Sequence, residues 1–286
     1  MRALLRLVRF LDGWVRPGWR SCAVRYAIEG FLATFRPRSG VALRNLRAAY
    51  PESDEAWRRQ VLRKLYEHIA WSAVEYFVLQ RNPKEVLQWC SPGKGVDLLD
   101  DYAARKKGLI VLTAHLGNWE LLAGWLAGRG YPIHSIVRRH DDPAIEEMTE
   151  AHRRRVGLVT ISKNEHMKKV VDLLRKGAFI GILADQKASP PEGITVPFFG
   201  IPSLTYVGAA ALGILAGVPV VPVASWRKEP FRHEVVAGAP LCVPQGMARG
   251  EIIAKMTEEA NFRIEEFVRK NPEQWLWLHR RWDFDA

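Results

Sequence analysis

Residues Val111 to Leu122 read VLTAHLGNWELL, and the change of pattern across them decides the fold. An apolar run suited to a buried strand gives way at His115 to a turn, and a helical pattern starts near Asn118 or Trp119. The same alternation continues downstream. Short apolar runs predict strands at Leu109 to Thr113, Ile133 to Val137, Leu158 to Ile161, Phe179 to Leu183, Thr195 to Phe198, Val218 to Val223 and His233 to Val236. Between them, amphipathic stretches predict helices at Trp119 to Ala127, Pro143 to Arg155, His166 to Lys176, Tyr206 to Ala216 and Glu251 to Lys270. Gly130, Gly157, Gly177 and Gly217 sit where helices should close in the left-handed conformation. Upstream, residues 41–80 read as helical, with a helix start at Ser53 to Glu55 and Trp57, Val61, Leu62, Leu65, Tyr66, Ile69, Ala70 and Val74 at three-to-four spacing, one face of a helix. Strands alternating with helices predict an α/β fold with a helical N-terminal region.

The 286 residues, 48% of them hydrophobic, suffice for one main domain with a large core. No repeat, low-complexity tract or long Ser/Gly linker divides them. Cys22, Cys90 and Cys242 lie far apart, in neither a disulfide framework nor a metal-like spacing. A reduced, cytoplasmic chain fits that usage. The net charge of +11, from 42 Lys and Arg against 31 Asp and Glu, points to an anionic partner: nucleic acid, acidic lipid or an acidic carrier protein. A solvated basic surface without a specific partner has the same composition. The basic residues are spread along the chain, with no helix-turn-helix, zinc-finger or RNP-like stretch, which sets nucleic acid aside.

No uncharged apolar run reaches the 18 residues that crossing a bilayer needs. The N-terminus, MRALLRLVRFLDGWVRPGW, has arginines at 2, 6, 9 and 16 interrupting its apolar positions, so it lacks the h-region of a signal peptide. Residues 1–40 read either as an amphipathic segment lying at a lipid interface or as a helical segment packed on the domain formed by 41–286. A peripheral place on a membrane surface follows from the first reading.

His115 and Glu120 are the candidate chemistry. Five residues in a continuous helix turn a side chain by about 140°, so the two would diverge there. With His115 on the strand-to-helix turn, its imidazole can fold back to the Glu120 carboxylate, which would fix the tautomer and make a usable general base. The competing reading is a satisfied strand-end histidine and a helix N-terminal glutamate favoured by the dipole.

HLGNWE after an apolar strand resembles the signature of the bacterial lipid A late acyltransferases: His, four residues, then Glu or Asp. RNLRAAYPES (44–53), RKGAFIGILADQ (175–186), VPFFG (196–200) followed by Thr205, LAGVPVVPV (215–223) and PEQWLWLHRRW (272–282) resemble further blocks of that family in the same order. The resemblance implies a central mixed sheet flanked by helices, as in glycerol-3-phosphate acyltransferases. It implies attack by a hydroxyl of a lipid A precursor on an acyl-carrier-protein or coenzyme A thioester, without metal, other cofactor or covalent enzyme intermediate. His115 and Glu120 would be catalytic. Asn118, Arg138, Arg154, Arg155, Asp185 and Gln186 would bind substrate, with Asp185 ordering an arginine or the acceptor. The partners implied are an acidic carrier protein or coenzyme A thioester, an anionic glycolipid and the cytoplasmic face of the inner membrane.

Two departures bear on the substrate. Val137, Arg138 and Arg139 stand where the family has aromatic, arginine and proline, and Asp142 replaces an asparagine. Another glycolipid or a lysophospholipid is therefore the alternative acceptor. A serine hydrolase lacks support, because no GxSxG elbow occurs. The tail Pro272 to Trp282 reads as a cap over the sheet edge or as a headgroup grip.

Overall fold

The computed structural model describes residues 15–137, 142–163 and 165–284. Three helices come first: α1 (Trp19–Phe35), α2 (Ser39–Ala49) and α3 (Glu55–Arg81). The helical stretch over 41–80 thus divides where a helix start was expected, at Ser53 to Glu55. Tyr50 leaves helical geometry ahead of Pro51, and Asp54 starts α3 by accepting the Trp57 amide at 2.7 Å. A short helix α4 (Val86–Trp89) leads to strand β1 (Cys90–Pro92) and helix α5 (Val96–Ala104).

The alternating part follows as β2 (Leu109–Thr113), α6 (Trp119–Gly128), β3 (Ile133–Val137), α7 (Pro143–Arg155), β4 (Val159–Ser162), α8 (Met167–Arg175) and β5 (Phe179–Leu183). After a hairpin of β6 (Gly193–Phe198) and β7 (Ile201–Tyr206) come α9 (Gly208–Ala216), β8 (Val220–Glu229), β9 (Arg232–Ala237) and α10 (Arg249–Lys270). Seven strands form a mixed sheet in the order β1-β9-β8-β2-β5-β3-β4. It is parallel throughout except where β9 runs antiparallel to β8.

β2 and β5 sit inside this sheet and are buried along nearly their whole length, as expected of parallel strands covered on both faces. Alternation along β2 divides its side chains. Ile110 and Leu112 join the core beneath α2, α9 and α10, while Leu109 and Val111 join the core beneath α5 and α6.

The hairpin corrects one expectation. Thr195 to Phe198 is a strand, but it pairs only with β7, outside the main sheet. Phe199 and Gly200 both have positive φ, 53° and 73°, the two-residue turn whose twist matches a hairpin. β7 extends through Tyr206, so α9 begins at Gly208 rather than at Tyr206. β4 is displaced one residue from its expected start.

Residues 1–14, most of the arginine-broken segment, lie outside the described residues. α1 sets Val24 against the core that contains Trp71 and Val74 of α3, while Trp19, Tyr26, Phe31 and Phe35 are exposed. No helix among the described residues is long and apolar enough to cross a membrane.

Candidate active site

The β2–β5 register builds the site. Thr113 stands opposite Leu183, and the Ala184 amide donates to the Thr113 carbonyl at 3.1 Å. Two residues further along each chain are His115 and Asp185, which therefore meet at the carboxyl ends of adjacent parallel strands, where open α/β sheets place ligands. Asp185 Oδ1 lies 2.9 Å from His115 Nδ1, and Asp185 Oδ2 accepts the His115 backbone amide at 3.0 Å. Trp275 Nε1 also donates to Oδ2, at 2.8 Å. The Asp185 side chain is 1% exposed and the imidazole 21%.

This contact fixes the tautomer. Nδ1 carries the proton donated to Asp185, so the Nε2 lone pair faces outward, with the Gln186 amide nitrogen 3.5 Å away. The carboxylate that meets the imidazole is thus Asp185, where the sequence pointed to Glu120. Asp185 in turn orders His115, through both its imidazole and its backbone amide. Glu120 lies in the first turn of α6 and takes Arg153 of α7 instead, at 2.8 Å from Oε1 and 3.4 Å from Oε2. Among the described residues it makes no hydrogen bond to His115, which only its charge reaches.

Burial pushes the His115 pKa down, but the neighbouring Asp185 and Glu120 charges outweigh it and hold the imidazole above its ordinary 6.5. Burial likewise pushes Asp185 up. The His115 charge and hydrogen bonds, with the Trp275 N–H, more than offset this and hold Asp185 below the usual aspartate range. An imidazole with one nitrogen anchored to a buried carboxylate and the other facing out is equipped to take a proton from a hydroxyl.

The turn that carries His115 has its own foundation. Gly117 has φ +59°, and a Cβ there would stand 1.7 Å from the Ser225 carbonyl oxygen, so only glycine lets the chain pass. Asn118 caps α6 by accepting the Leu121 amide at 3.2 Å and donates to Glu75 Oε2 at 2.9 Å. Glu75, fully buried on α3, also takes Arg227 of β8 at 2.7 Å and His233 of β9 at 3.0 Å. His68, one further buried group of α3, lies with Nε2 3.0 Å from the Gly117 carbonyl and Nδ1 against the Arg227 guanidinium. That pairing makes His68 the neutral Nε2–H tautomer. Burial and the Arg227 charge push its pKa well below the ordinary value. Burial pushes Glu75 up, yet Arg227 and His233 hold it well below the carboxylate range.

Sequence reasoning missed this cluster. Its signal was two polar residues seven apart, His68 and Glu75, on the apolar face of a helix that also buries Leu65 and Val78.

The expected substrate arginines divide three ways. Arg138 lies outside the described residues. Arg155 donates to Gln80 Oε1 at 2.9 Å and to its carbonyl at 3.2 Å, tying α7 to the end of α3. Arg154 is exposed on the last turn of α7. Asn118 is buried in the turn, whereas Gln186 stands at the imidazole.

The tail packs as a cap. Trp275, Trp277 and Trp282 are buried, the Leu276 amide donates to the His115 carbonyl at 3.0 Å, and the Gly117 amide donates to the Gln274 carbonyl at 2.9 Å. The cap therefore backs the His115 turn as well as the sheet.

A family model described as bacterial lipid A biosynthesis acyltransferase matches residues 22–283. The chain is similar to the lipid A biosynthesis lauroyltransferase of Escherichia coli (strain K12), 25% identical over 253 residues, which cover 87% of this chain and 80% of the relative. It is 23% identical over 273 residues to the lipid A biosynthesis palmitoleoyltransferase of the same strain, covering 92% and 87%. A phosphatidylinositol mannoside acyltransferase of Mycobacterium tuberculosis (strain CDC 1551 / Oshkosh) is 23% identical over 192 residues, covering 66% and 58%. With a matching family model that spans most of its length, a mixed sheet between helices, and a histidine-bearing turn after β2, this chain belongs to the bacterial lipid A biosynthesis acyltransferases and is an acyltransferase.

Proposed function

We propose that the enzyme moves a fatty acyl chain from an acyl-carrier-protein or coenzyme A thioester to a hydroxyl of a lipid A precursor of the Kdo2-lipid IVA type. The observation that carries this reading is the outward-facing Nε2 of His115, held by the 2.9 Å contact of Nδ1 with buried Asp185. Nε2 takes the acceptor hydroxyl proton as the oxygen attacks the thioester carbonyl. The tetrahedral oxyanion then collapses, the C–S bond breaks, and the imidazolium returns its proton to the departing thiolate.

Asp185 balances the imidazolium and fixes its orientation. Glu120 completes the site in a different way, raising the basicity of His115 by its charge while it positions Arg153. The Gln186 amide contacts the acceptor or the oxyanion beside Nε2. The thioester is a co-substrate, and the scheme calls on no other cofactor.

The net charge of +11 suits an acidic carrier protein, the phosphates of coenzyme A and an anionic glycolipid. Trp19, Tyr26, Phe31 and Phe35, exposed on a helix flanked by Arg16, Arg20, Arg36 and Arg38, suit peripheral attachment to an anionic surface. On this reading that surface is the cytoplasmic face of the inner membrane. The similarity to a phosphatidylinositol mannoside acyltransferase favours one second reading, acylation of another glycolipid.

Purified protein given a labelled acyl-carrier thioester and a panel of lipid A precursor, phosphatidylinositol mannoside, lysophospholipid and water tests both. Label should reach the precursor and disappear with His115→Ala. Label on a lysophospholipid or in free acid instead would remove the lipid A assignment.

A further inference from the structure

A cleft of about 860 Å³ is lined by Arg38, Lys187, His279, Arg280, Arg281 and Asp283 among others. Two of these residues tie it to the His115 centre. Gln186, at 3.5 Å from His115 Nε2, joins Asp185 to Lys187, and the His279 ring is close enough to both His115 and Asp185 to feel their charges.

Its charge is one-sided. Lys187 is matched by Asp283 at 2.5 Å, but Arg38, Arg280 and Arg281 have no such match in the lining. Arg38 and Arg280 are exposed. Arg281 is buried, and its hydrogen-bond partners among the described residues are all neutral oxygens: the Gln186 and Leu204 carbonyls, Thr205 Oγ1 and Asn261 Oδ1. The charges of Asp185 and Glu265 reach Arg281 without pairing with it, and a buried guanidinium hydrogen-bonded only to neutral oxygens leaves positive potential in the space it borders. Two buried nitrogens of this lining, Arg281 Nε and His279 Nδ1, lack a partner among the described residues. Ser189, Ser203 and Thr195 add hydroxyls.

We infer that this cleft holds a phosphate group of the acceptor, seated by Arg38, Arg280 and Lys187 with Arg281 behind them, while the acceptor hydroxyl lies at His115. The inference rests on the proposed reaction and adds the acceptor's docking point. Several N–H donors around one dianion make the charge-assisted arrangement that arginine forks favour. The donor also carries a phosphate, but a pantetheine arm separates it from the thioester carbonyl. On a phosphorylated glucosamine that carries a hydroxyacyl chain, the phosphate is separated from the acceptor hydroxyl by only the sugar ring and the first carbons of that chain, which suits a cleft whose lining begins at Lys187, next to Gln186.

The test uses Arg280→Glu and Arg38→Glu, exposed positions where charge reversal leaves the packing intact. Equilibrium binding of lipid A precursor and its dephosphorylated form is measured in the His115→Ala background, where no turnover intervenes. Each reversal should weaken binding of the phosphorylated form by about tenfold or more and leave the dephosphorylated form unchanged. In the active enzyme the acceptor KM should rise while the donor KM stays constant. Equal binding of both lipid forms by wild type, or a shift in the donor KM alone, would overturn the inference. Selective phosphate binding without turnover on this lipid would sustain the docking site and reject the proposed acceptor reaction.

Discussion

Two buried carboxylates in this molecule each hold a histidine at nearly the same distance: Asp185 with His115 at 2.9 Å and Glu75 with His233 at 3.0 Å. Contact geometry alone does not separate them, but their other partners do. Asp185 otherwise receives only neutral N–H groups, from Trp275 and the His115 backbone. Its charge is therefore available to the imidazole, and it raises the His115 pKa. Glu75 already faces the Arg227 guanidinium, so its charge is matched without the histidines, and the adjoining His68 is driven neutral. Access differs as well, with an imidazole 21% exposed in one pair and a side chain fully enclosed in the other. A carboxylate whose hydrogen-bonded cation is an imidazole tunes a base, whereas one paired with arginine braces the fold.

Exchange of Asp185 for asparagine is the strongest way to break this comparison. The amide keeps the shape but cannot balance the imidazolium or enforce the Nδ1–H tautomer. Turnover should fall by up to about 10⁴-fold, with the thermal midpoint little changed. His115→Ala should lose roughly 10² to 10⁴-fold. Steady-state kinetics alongside thermal melts decide it, and an Asp185→Asn enzyme within tenfold of wild type would end the tuning argument.

Glu75→Gln should do the reverse. Loss of this carboxylate leaves Arg227 buried without its counter-charge, at a cost of about 3–5 kcal/mol in unfolding free energy. The enzyme that remains folded should keep the wild-type pH profile, since Glu75 does not touch His115. Urea denaturation with a parallel pH series reads both quantities. A variant of native stability would show that the cluster braces nothing.

How much of this was visible in the sequence follows from the range of each interaction. β2 and β5 fall where the apolar runs placed them, because a strand buried on both faces writes its burial into consecutive residues. His115 on a strand-to-helix turn was equally local. The His115–Asp185 contact was not, since it joins residues 70 apart through the parallel register of β2 and β5, which no linear pattern states. Glu120 looked like the partner because it was the near carboxylate in sequence. Its place in the first turn of α6 sends it to Arg153 across to α7. Glu75 and Arg227 are still further apart, and only the packing of α3 on β8 joins them.

Glu120 offers a finer division of the same site. Because the charges of Asp185 and Glu120 hold His115 above 6.5, and only its neutral form accepts a proton, kcat/KM should fall as pH drops through that raised value. Glu120→Gln removes one raising charge. The acidic limb should therefore move to lower pH, with a smaller rate loss than in Asp185→Asn. A limb that stays in place would mean that Glu120 does not act on the imidazole by charge.

The contrast recurs in miniature on the last turn of α7, where adjacent arginines have opposite situations. Arg155 is spent on Gln80, so Arg155→Ala should cost about 1 kcal/mol or less of stability and leave KM alone, the bonds being partly solvated. Arg154 is exposed, so Arg154→Ala should not alter the melting curve. If Arg154 contacts an anionic substrate, its removal should instead raise KM at constant kcat, and that rise should shrink with added salt as charges are screened. An unchanged KM would confine Arg154 to the favourable interaction of a cation with a helix C-terminus, leaving substrate recognition to the side chains around His115.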